Sequence, residues 1–199
     1  AEFYVFDVNN NSNLTEKVVF VVDTAPPIIT INSPQPNNTN YSTSNVLFNI
    51  TLDSTGQACV YSLNGGTINI SMSSANNINW NATNSSIADG LYTTNFYCND
   101  ALGNSGINST IFRIDTMPPE IVIIHPQATN YTTSSLSLNF TITDSGVGKD
   151  SCWYSTNNGI TNTTISNCQN TTFTASQGTA TLSFYANDTL NNINGTKNV

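Results

Sequence analysis

The stretch Asp23-Thr24-Ala25-Pro26-Pro27 returns later in this chain as Asp115-Thr116-Met117-Pro118-Pro119. Each copy is followed by short runs in which apolar and polar residues alternate, as at Val46, Phe48 and Ile50. Alternation with a period of two predicts half-buried β-strands. Apolar residues nowhere keep a helical period over ten positions. The sequence therefore predicts an all-β protein made of tandem repeats.

Further matches extend the repeat over the whole chain. They are Asn40-Tyr41-Ser42-Thr43 with Asn130-Tyr131-Thr132-Thr133, Cys59-Val60-Tyr61-Ser62 with Cys152-Trp153-Tyr154-Ser155, and Phe96-Tyr97-Cys98-Asn99-Asp100 with Phe184-Tyr185-Ala186-Asn187-Asp188 and Phe3-Tyr4-Val5-Phe6-Asp7. The matches divide the chain into three parts. Residues 1–22 are the last two strands of an upstream domain, 23–114 form one complete domain, and 115–199 form a second domain whose final strand is nearly complete.

The complete domain is predicted to contain seven strands. They fall at 27–33, 45–53, 58–63, 67–72, 78–83, 91–99 and 107–114. Seven short strands in about 100 residues are typical of a two-sheet sandwich. The paired prolines fix two φ angles at each junction, so consecutive domains are expected to stand end to end as a semi-rigid rod.

Two explanations are considered for residues 1–22. The repeat spacing places the next junction a few residues beyond Val199, which favours an excerpt of a longer tandem array. Alternatively, the N-terminal hairpin is donated to a neighbouring subunit. Donation would duplicate strands that the last domain already has, so the first explanation is preferred.

The composition is polar but almost uncharged. Charged residues make up 8% of the 199 residues, against about 25% in typical globular proteins, and the net charge is −8. Asn (33 residues) and Ser plus Thr (51 residues) supply the polar surface instead. The four basic residues are scattered, which argues against a nucleic-acid partner. No apolar run is long enough to predict a membrane-spanning helix.

The repeated pattern resembles the tandem immunoglobulin-like repeats of archaeal cell-surface and S-layer-type glycoproteins. The resemblance rests on Asp-Thr-x-Pro-Pro, on Cys-x-Tyr-Ser with an Asn/Gly turn, and on Phe-Tyr-x-Asn-Asp with a second turn. It covers nearly the whole chain and implies seven-stranded β-sandwich domains joined end to end. Such repeats occur in S-layers, adhesins, filaments and modules of surface enzymes, so the resemblance alone leaves the function open.

Asn-x-Ser/Thr sequons are about twice as frequent as chance placement would give. The 15 sequons begin at Asn10, Asn13, Asn37, Asn40, Asn49, Asn69, Asn81, Asn84, Asn108, Asn130, Asn139, Asn162, Asn170, Asn187 and Asn194. Asn49 and Asn139 are repeat equivalents on the second strand, and Asn49 alternates with apolar neighbours, so it is expected to face solvent. The pattern predicts an N-glycosylated, extracellular protein.

Four cysteines in a chain of secreted character predict two disulfide bonds. Four cysteines allow three pairings. Cys59 and Cys152 are repeat equivalents, whereas Cys98 and Cys168 have no cysteine counterpart, so the alignment assigns one pair to each domain. The predicted bonds are Cys59–Cys98 and Cys152–Cys168. A zinc site is the rival interpretation, but the sequence has no CxxC motif.

No catalytic set is predicted. The single histidine, His125, has Ser33 as its repeat equivalent and is expected on the surface. Without a histidine beside it, a Ser or Cys nucleophile lacks its common base. The acidic residues lie mostly at strand ends and turns, which does not predict a converging pair for glycoside cleavage.

The turn acids suggest calcium, which binds carboxylate and carbonyl oxygens. Equivalent acids occur in both domains: Asp23 and Asp115, Asp53 and Asp144, Asp100 and Asp188. Asp144 and Asp150, which share one loop, are the candidate calcium ligands. Two considerations weigh against this site, since Asp residues also cap turns by bonding their own backbone and Lys149 would repel a cation.

These features predict a structural protein that is not an enzyme. The expected role is a repeat of an extracellular filament, sheath or S-layer, whose partners are copies of itself. N-linked glycans and calcium are the groups that the sequence suggests as bound, and no cofactor is expected. The alternatives are an adhesin stalk or carbohydrate-binding module, for which exposed aromatic residues in a row would be the sign, and spacer domains of a large surface enzyme.

Overall fold

The computed structural model describes residues 5–13 and 19–198, and side chains at 6–12 and 19–195. In the first range, β1 (Val5–Phe6) pairs antiparallel with β2 (Ser12–Asn13) across a short turn. Residues 1–4 and 14–18 of the predicted 1–22 segment lie outside the described part, and so does the side chain of the sequon residue Asn13.

Eight strands between residues 29 and 114 form two sheets around one core. They are β3 (Ile29–Ser33), β4 (Thr39–Tyr41), β5 (Val46–Leu52), β6 (Ala58–Ser62), β7 (Ile70–Ser71), β8 (Asn79–Asn84), β9 (Gly90–Asn99) and β10 (Ser105–Ile114). The sheet orders are β3-β5-β8 and β4-β10-β9-β6-β7. Neighbouring strands are antiparallel, apart from β4, which runs parallel to β10.

The core of this first sandwich uses alternate positions of its strands. On β5, Val46, Phe48 and Ile50 are fully buried, while the intervening Leu47 is 47% exposed. Phe48 occupies the space between the sheets, where its ring stacks on Tyr61 of the opposite sheet with centroids 4.0 Å apart. The period-two pattern therefore places one face of each strand inside and the other in solvent.

A second sandwich follows with its own core. Its elements are β11 (Glu120–His125), β12 (Ser135–Thr143), β13 (Lys149–Ser155), β14 (Thr163–Thr164), a 3₁₀ turn (Ser166–Cys168), β15 (Thr171–Thr174), β16 (Ser183–Asp188) and β17 (Ile193–Asn198). The sheet orders are β11-β12-β15 and β14-β13-β16-β17. Ile121, Leu138 and Phe184 are fully buried at its centre.

Both units are immunoglobulin-like β-sandwiches, which confirms the predicted fold class. The first has one strand more than predicted, the three-residue β4, and the predicted strand at 67–72 is reduced to β7. In the part of the chain that the structure describes, the 3₁₀ turn is the whole of the helical content, and there is no membrane-spanning helix.

Candidate functional site

The turn between the last two strands of each repeat is built on an aspartate and on an asparagine four residues later. The Oδ1 of Asp188 accepts the backbone N–H groups of Leu190 at 2.8 Å and of Asn192 at 2.9 Å. Its Oδ2 accepts the side-chain amide of Asn192 at 2.7 Å. The same three bonds recur in the turns 100–104 and 7–11. The turn is therefore a repeated structural element, in which the carboxylate organises the backbone.

Hydrogen bonding in two of these turns, at Asp7 and Asp100, favours the ionised carboxylate. The side-chain amide of Asn104 holds the pKa of Asp100 below its ordinary value, against the effect of burial, and the backbone N–H groups of the turn act in the same direction as the amide. Asn11 lowers the pKa of Asp7 in the same way. Asp7 and Asp100 thus present anionic oxygens, the ligand type that calcium prefers.

Asp115, which opens the second Asp-Thr-x-Pro-Pro stretch, is bonded on both sides of the junction. Its backbone N–H donates to the carbonyl of Tyr41 in the first sandwich at 3.0 Å. Its own carbonyl accepts the side-chain amide of Asn192 at 2.9 Å, and its Oδ2 accepts the N–H of Val147 at 2.7 Å, both from the second sandwich. The junction residue is therefore fastened to both sandwiches.

Three carboxylates meet at this junction. Oxygens of Asp115, Asp144 and Asp188 lie within 4.8 Å of one another, with Asp115 and Asp188 buried and Asp144 half-buried. Negative charges at this spacing repel one another unless protons or a cation neutralise them. The strand register places Lys149 opposite Asp188, so the backbone of one basic residue lies close to the cluster. The oxygens come from three separate segments and form a candidate cation-binding group.

Gly146 leaves room for the Asp115 carboxylate. A Cβ atom at this position would overlap the carboxylate oxygens. Five residues separate Asp53 from Cys59 in the first sandwich, against seven between the equivalent Asp144 and Cys152 in the second, and Asp23, the equivalent of Asp115, is exposed. Within the described ranges, the three-acid cluster accordingly occurs in the second sandwich and not in the first.

The predicted calcium pair is divided by the structure. Asp144 belongs to the cluster, and its Oδ1 also accepts the N–H groups of Gly146 and Gly148 at 2.9 and 2.8 Å. Asp150 is not a member. It is exposed on β13 and accepts a hydrogen bond from the hydroxyl of Ser151 at 2.9 Å. The partners of Asp144 are instead the distant Asp115 and Asp188.

Both disulfide bonds lie within single sandwiches. The structure joins Cys59 to Cys98, which are direct register partners on β6 and β9. It joins Cys152 on β13 to Cys168 at the end of the 3₁₀ turn. All four cysteines belong to the buried cores. The bonds therefore brace each core separately.

The other residues singled out in the sequence do not converge. His125 is half-buried, and its Nδ1 lies 2.8 Å from the carbonyl oxygen of Ser137. Trp80 is buried in the first core. Trp153 is half-buried and stacks nearly parallel on Tyr185 across β13 and β16, with centroids 5.7 Å apart. These three rings occupy three different places in the fold.

The sequons differ widely in exposure. The exposed ones are Asn10, Asn37, Asn40, Asn69, Asn81, Asn108, Asn130, Asn162 and Asn170, and the half-buried ones are Asn49, Asn84, Asn139 and Asn194. Asn187 is buried, at 7% exposure. The predicted outward position of Asn49 is therefore only half open to solvent.

Three sequon asparagines use their amide nitrogen inside the fold. The Nδ2 of Asn108 donates to the carbonyl of Ile29 at 2.8 Å, and that of Asn194 donates to the carbonyl of Pro119 at 2.9 Å. Asn187 bonds to Asn191 through the same atom at 3.2 Å. Since a glycan is attached at this nitrogen, these three sites have a structural role that competes with modification.

One curated protein shows similarity in sequence. No protein-family model matches the chain. Halomucin from Haloquadratum walsbyi is 34% identical over 97 residues, which is 49% of this chain and 1% of halomucin. The match thus spans a small fraction of that protein.

Solved structures with similar folds share little sequence with the chain. The fibronectin(III)-like modules of Clostridium thermocellum CbhA are 16% identical, with 86% of this chain and 90% of theirs covered and a TM-score of 0.42. DIP-gamma IG1+IG2 is 12% identical, with 88% and 96% covered and a TM-score of 0.48. A 1.5-MDa bacterial ice-binding adhesin is 13% identical, with 86% and 62% covered and a TM-score of 0.45. The strand order and the two cores define the fold independently of these neighbours.

Proposed function

We propose that the chain is a non-catalytic structural repeat of an extracellular, N-glycosylated filament, sheath or S-layer at an archaeal cell surface. The junction at Asp115 carries the proposal. It is bonded to both sandwiches, and these bonds would fix the orientation of one repeat relative to the next. The uncharged polar surface and the similarity to halomucin of Haloquadratum walsbyi support a surface location.

Electron microscopy of the native cell surface tests this role. Fibres or a lattice with a repeat that matches one or two sandwiches are expected, and antibody against this chain should decorate them at that spacing. Isolated, undecorated molecules would contradict the structural role. They would favour an adhesin stalk, a carbohydrate-binding module or spacer domains of a larger enzyme.

The outer face of the β3-β5-β8 sheet suits glycans. Its side chains form an uncharged ladder, in which the amide of Asn32 donates to Asn49 and to Thr51, both at 2.8 Å, and the hydroxyl of Thr51 donates to Asn79 at 3.0 Å. The sequon residue Asn81 is exposed on β8, at the edge of this sheet. The outward main-chain N–H and carbonyl of Asn81 are already bonded to Ser73, at 2.9 and 2.8 Å, so a sugar there would extend the cover of an edge strand that has no charged residue of its own.

Glycan occupancy is expected to follow exposure and hydrogen bonding. Asn81 and Asn69 are exposed and should be modified in protein from the native host, whereas the buried Asn187 should be bare. Glycopeptide mass spectrometry measures the occupancy of each site. Asn108 is the matched test, because it is exposed like Asn81 but its amide is bonded to Ile29, so lower occupancy than at Asn81 is expected. Full occupancy at Asn187 would contradict this ranking.

We also propose that calcium binds the Asp115–Asp144–Asp188 cluster. Three carboxylates within 4.8 Å provide hard oxygen ligands, and a divalent cation would neutralise their repulsion in a buried setting. The cluster lies where Asp115 joins the two sandwiches. Calcium held there would make the junction stiffer.

Calcium is expected to stabilise the second sandwich by about 2.7 kcal/mol at a concentration about 100-fold above its Kd. Thermal unfolding with calcium and with a chelator measures the effect, and calorimetric titration gives the stoichiometry. Asp144→Asn should abolish the effect. Asp150→Asn, which removes a carboxylate outside the cluster, should retain it. Equal unfolding temperatures with calcium and chelator would contradict the proposal.

A further inference from the structure

The outer face of the β14-β13-β16-β17 sheet carries a pair of stacked aromatic rings. Trp153 on β13 and Tyr185 on β16 are direct register partners. Their rings are nearly parallel, with an interplanar angle of 8° and centroids 5.7 Å apart. Both side chains point away from the core, because their strand neighbours Cys152, Phe184 and Ala186 are buried in it. Trp153 and Tyr185 are half-buried, so part of each ring is open to solvent.

Two glycines shape the surroundings of Tyr185. A Cβ atom at Gly195 on β17 would lie 2.9 Å from Cδ1 of Tyr185, so a larger residue there would displace the ring. A Cβ atom at Gly159 would lie 3.3 Å from the hydroxyl oxygen of Tyr185. The tyrosine ring therefore rests against β17 at one edge and against the β13–β14 turn at its hydroxyl, which fixes the face on which Trp153 stacks.

The second face of the indole is turned toward the edge of the sheet. Tyr185 covers the face of Trp153 on the β16 side, so the opposite face is directed toward β14. Thr164 is the register partner of Trp153 on β14, and it is exposed. β14 ends the order of this sheet in the part of the chain that the structure describes. One face of the indole thus borders an open sheet edge.

A sequon begins beside this face. Asn162 is exposed and stands one residue before β14, and Thr164 is the third residue of its Asn-x-Thr motif. Asn162 and Thr164 are two residues apart, which places them on the same face of the sheet. Asn162 is therefore the diagonal neighbour of Trp153, and such neighbours are separated by about 7–8 Å. A sugar attached to Nδ2 of Asn162 can reach the indole.

The turn before the sequon fixes where Asn162 stands. The Oγ of Ser155 accepts the N–H of Gly159 at 2.8 Å, and the Oδ1 of Asn157 accepts the N–H of Thr161 at 2.9 Å. Thr161 is the residue directly before Asn162. These bonds therefore position the attachment point of a glycan relative to β13.

The first sandwich has the same sequon without the aromatic pair. Asn69 is exposed, stands one residue before β7, and follows a turn closed by equivalent bonds. At the place of Trp153 this sandwich has Val60, whose register partner is Tyr97. A glycan on Asn69 thus meets no indole, which makes the first sandwich an internal comparison for the second.

We propose that the glycan on Asn162 binds the aromatic pair, with its first sugar ring packed on the free face of Trp153. The C–H face of a pyranose ring is apolar, and packing it on the indole removes apolar surface of both from water. The occupant is the chain's own glycan, because the attachment point lies within reach on the same face. The inference rests on the N-glycosylation in the proposed function and names the surface that holds one glycan.

A double-mutant cycle on protein from the native host tests the contact. In the wild type, Asn162→Gln is expected to lower the unfolding temperature of the second sandwich by about 4 °C, the shift that one ordinary contact gives in a domain of this size. In the Trp153→Val background, Asn162→Gln should cause no further change. In protein from a host without N-glycosylation, Asn162→Gln should have no effect in either background, which separates the glycan from the asparagine side chain.

Asn69→Gln is the matched control. It should leave the unfolding temperature of the first sandwich unchanged, and in the Val60→Trp background it should lower that temperature as Asn162→Gln does in the second. Nuclear magnetic resonance of the glycosylated protein adds a direct readout. The protons of the first sugar on Asn162 should be shifted upfield by the ring current of the indole, and those of the sugar on Asn69 should not.

The outcomes distinguish this contact from the proposed function. Equal losses from Asn162→Gln in the wild type and in the Trp153→Val background would overturn the contact. A bare Asn162 in protein whose other exposed sequons carry glycans would overturn it too, and the structural role would stand. Protein without a glycan at any sequon would overturn both the contact and the proposed N-glycosylation. A confirmed contact in a molecule that forms no fibre or lattice would instead overturn the structural role alone.

Discussion

Replacing Phe48 by alanine is expected to lower the free energy of unfolding of the first sandwich by about 3–5 kcal/mol. Phe48 is fully buried, and its ring contacts Tyr61, Phe96 and Phe112. The substitution removes a large apolar group and leaves a cavity that the paired strands cannot close. Urea unfolding followed by near-UV circular dichroism measures the loss. The transition of the second sandwich should not move, because its buried residues form a separate cluster.

Leu47→Ala is the matched control for this prediction. Leu47 is the next residue on β5 but points outward and is 47% exposed. Its replacement is expected to change the free energy of unfolding by about 0.5 kcal/mol. Equal effects at Phe48 and Leu47 would contradict the assignment of one face of β5 to the core and the other to solvent.

Removal of the Cys59–Cys98 bond by double substitution with alanine is expected to destabilise the first sandwich by about 4 kcal/mol. The bond closes a loop of 39 residues, and a longer loop restricts the unfolded chain more. Guanidinium unfolding under non-oxidising conditions, compared with the oxidised wild type, gives the difference. The alanine side chains remain in the core, so no buried polar group is introduced.

The Cys152–Cys168 bond provides the internal comparison. It closes a loop of 16 residues, so its removal by the same substitutions should cost the second sandwich about 3 kcal/mol. Each double variant should shift one transition and leave the other in place, because each bond lies within one core. A larger cost for the shorter loop would contradict the chain-entropy explanation.

The fold class could be predicted because burial in these strands follows a simple period. Apolar residues recur at every second position of β5 and β12, and the structure buries Val46, Phe48, Ile50 and Leu52 on β5 and Leu136, Leu138 and Phe140 on β12. β4 was missed for a physical reason. Thr39–Tyr41 is too short to show a period, and parallel pairing with β10, more than 70 residues away, is a tertiary contact that no local pattern records.

The acid cluster was only partly predictable. Asp144 was identified as a turn acid, but proximity in sequence suggested Asp150 as its partner. The ligand set is assembled by the sandwich instead, because the junction, the β12–β13 loop and the β16–β17 turn end at the same place. The repeated Asp-x-x-x-Asn spacing was the available signal for Asn192, whose amide bonds to Asp188 and to the Asp115 carbonyl.

The bond from Asn192 to the carbonyl of Asp115 has a consequence for how such a protein changes during evolution. Asn104 donates to the carbonyl of Asp23 at 3.1 Å, as Asn192 does to that of Asp115, so each unit closes its own entrance with its own last turn. Neither bond draws on a residue of the unit before or after it. A gene segment that encodes one unit can therefore be copied or lost without breaking this bond in the units on either side. The number of units can then change while each unit keeps the bond that closes its own entrance.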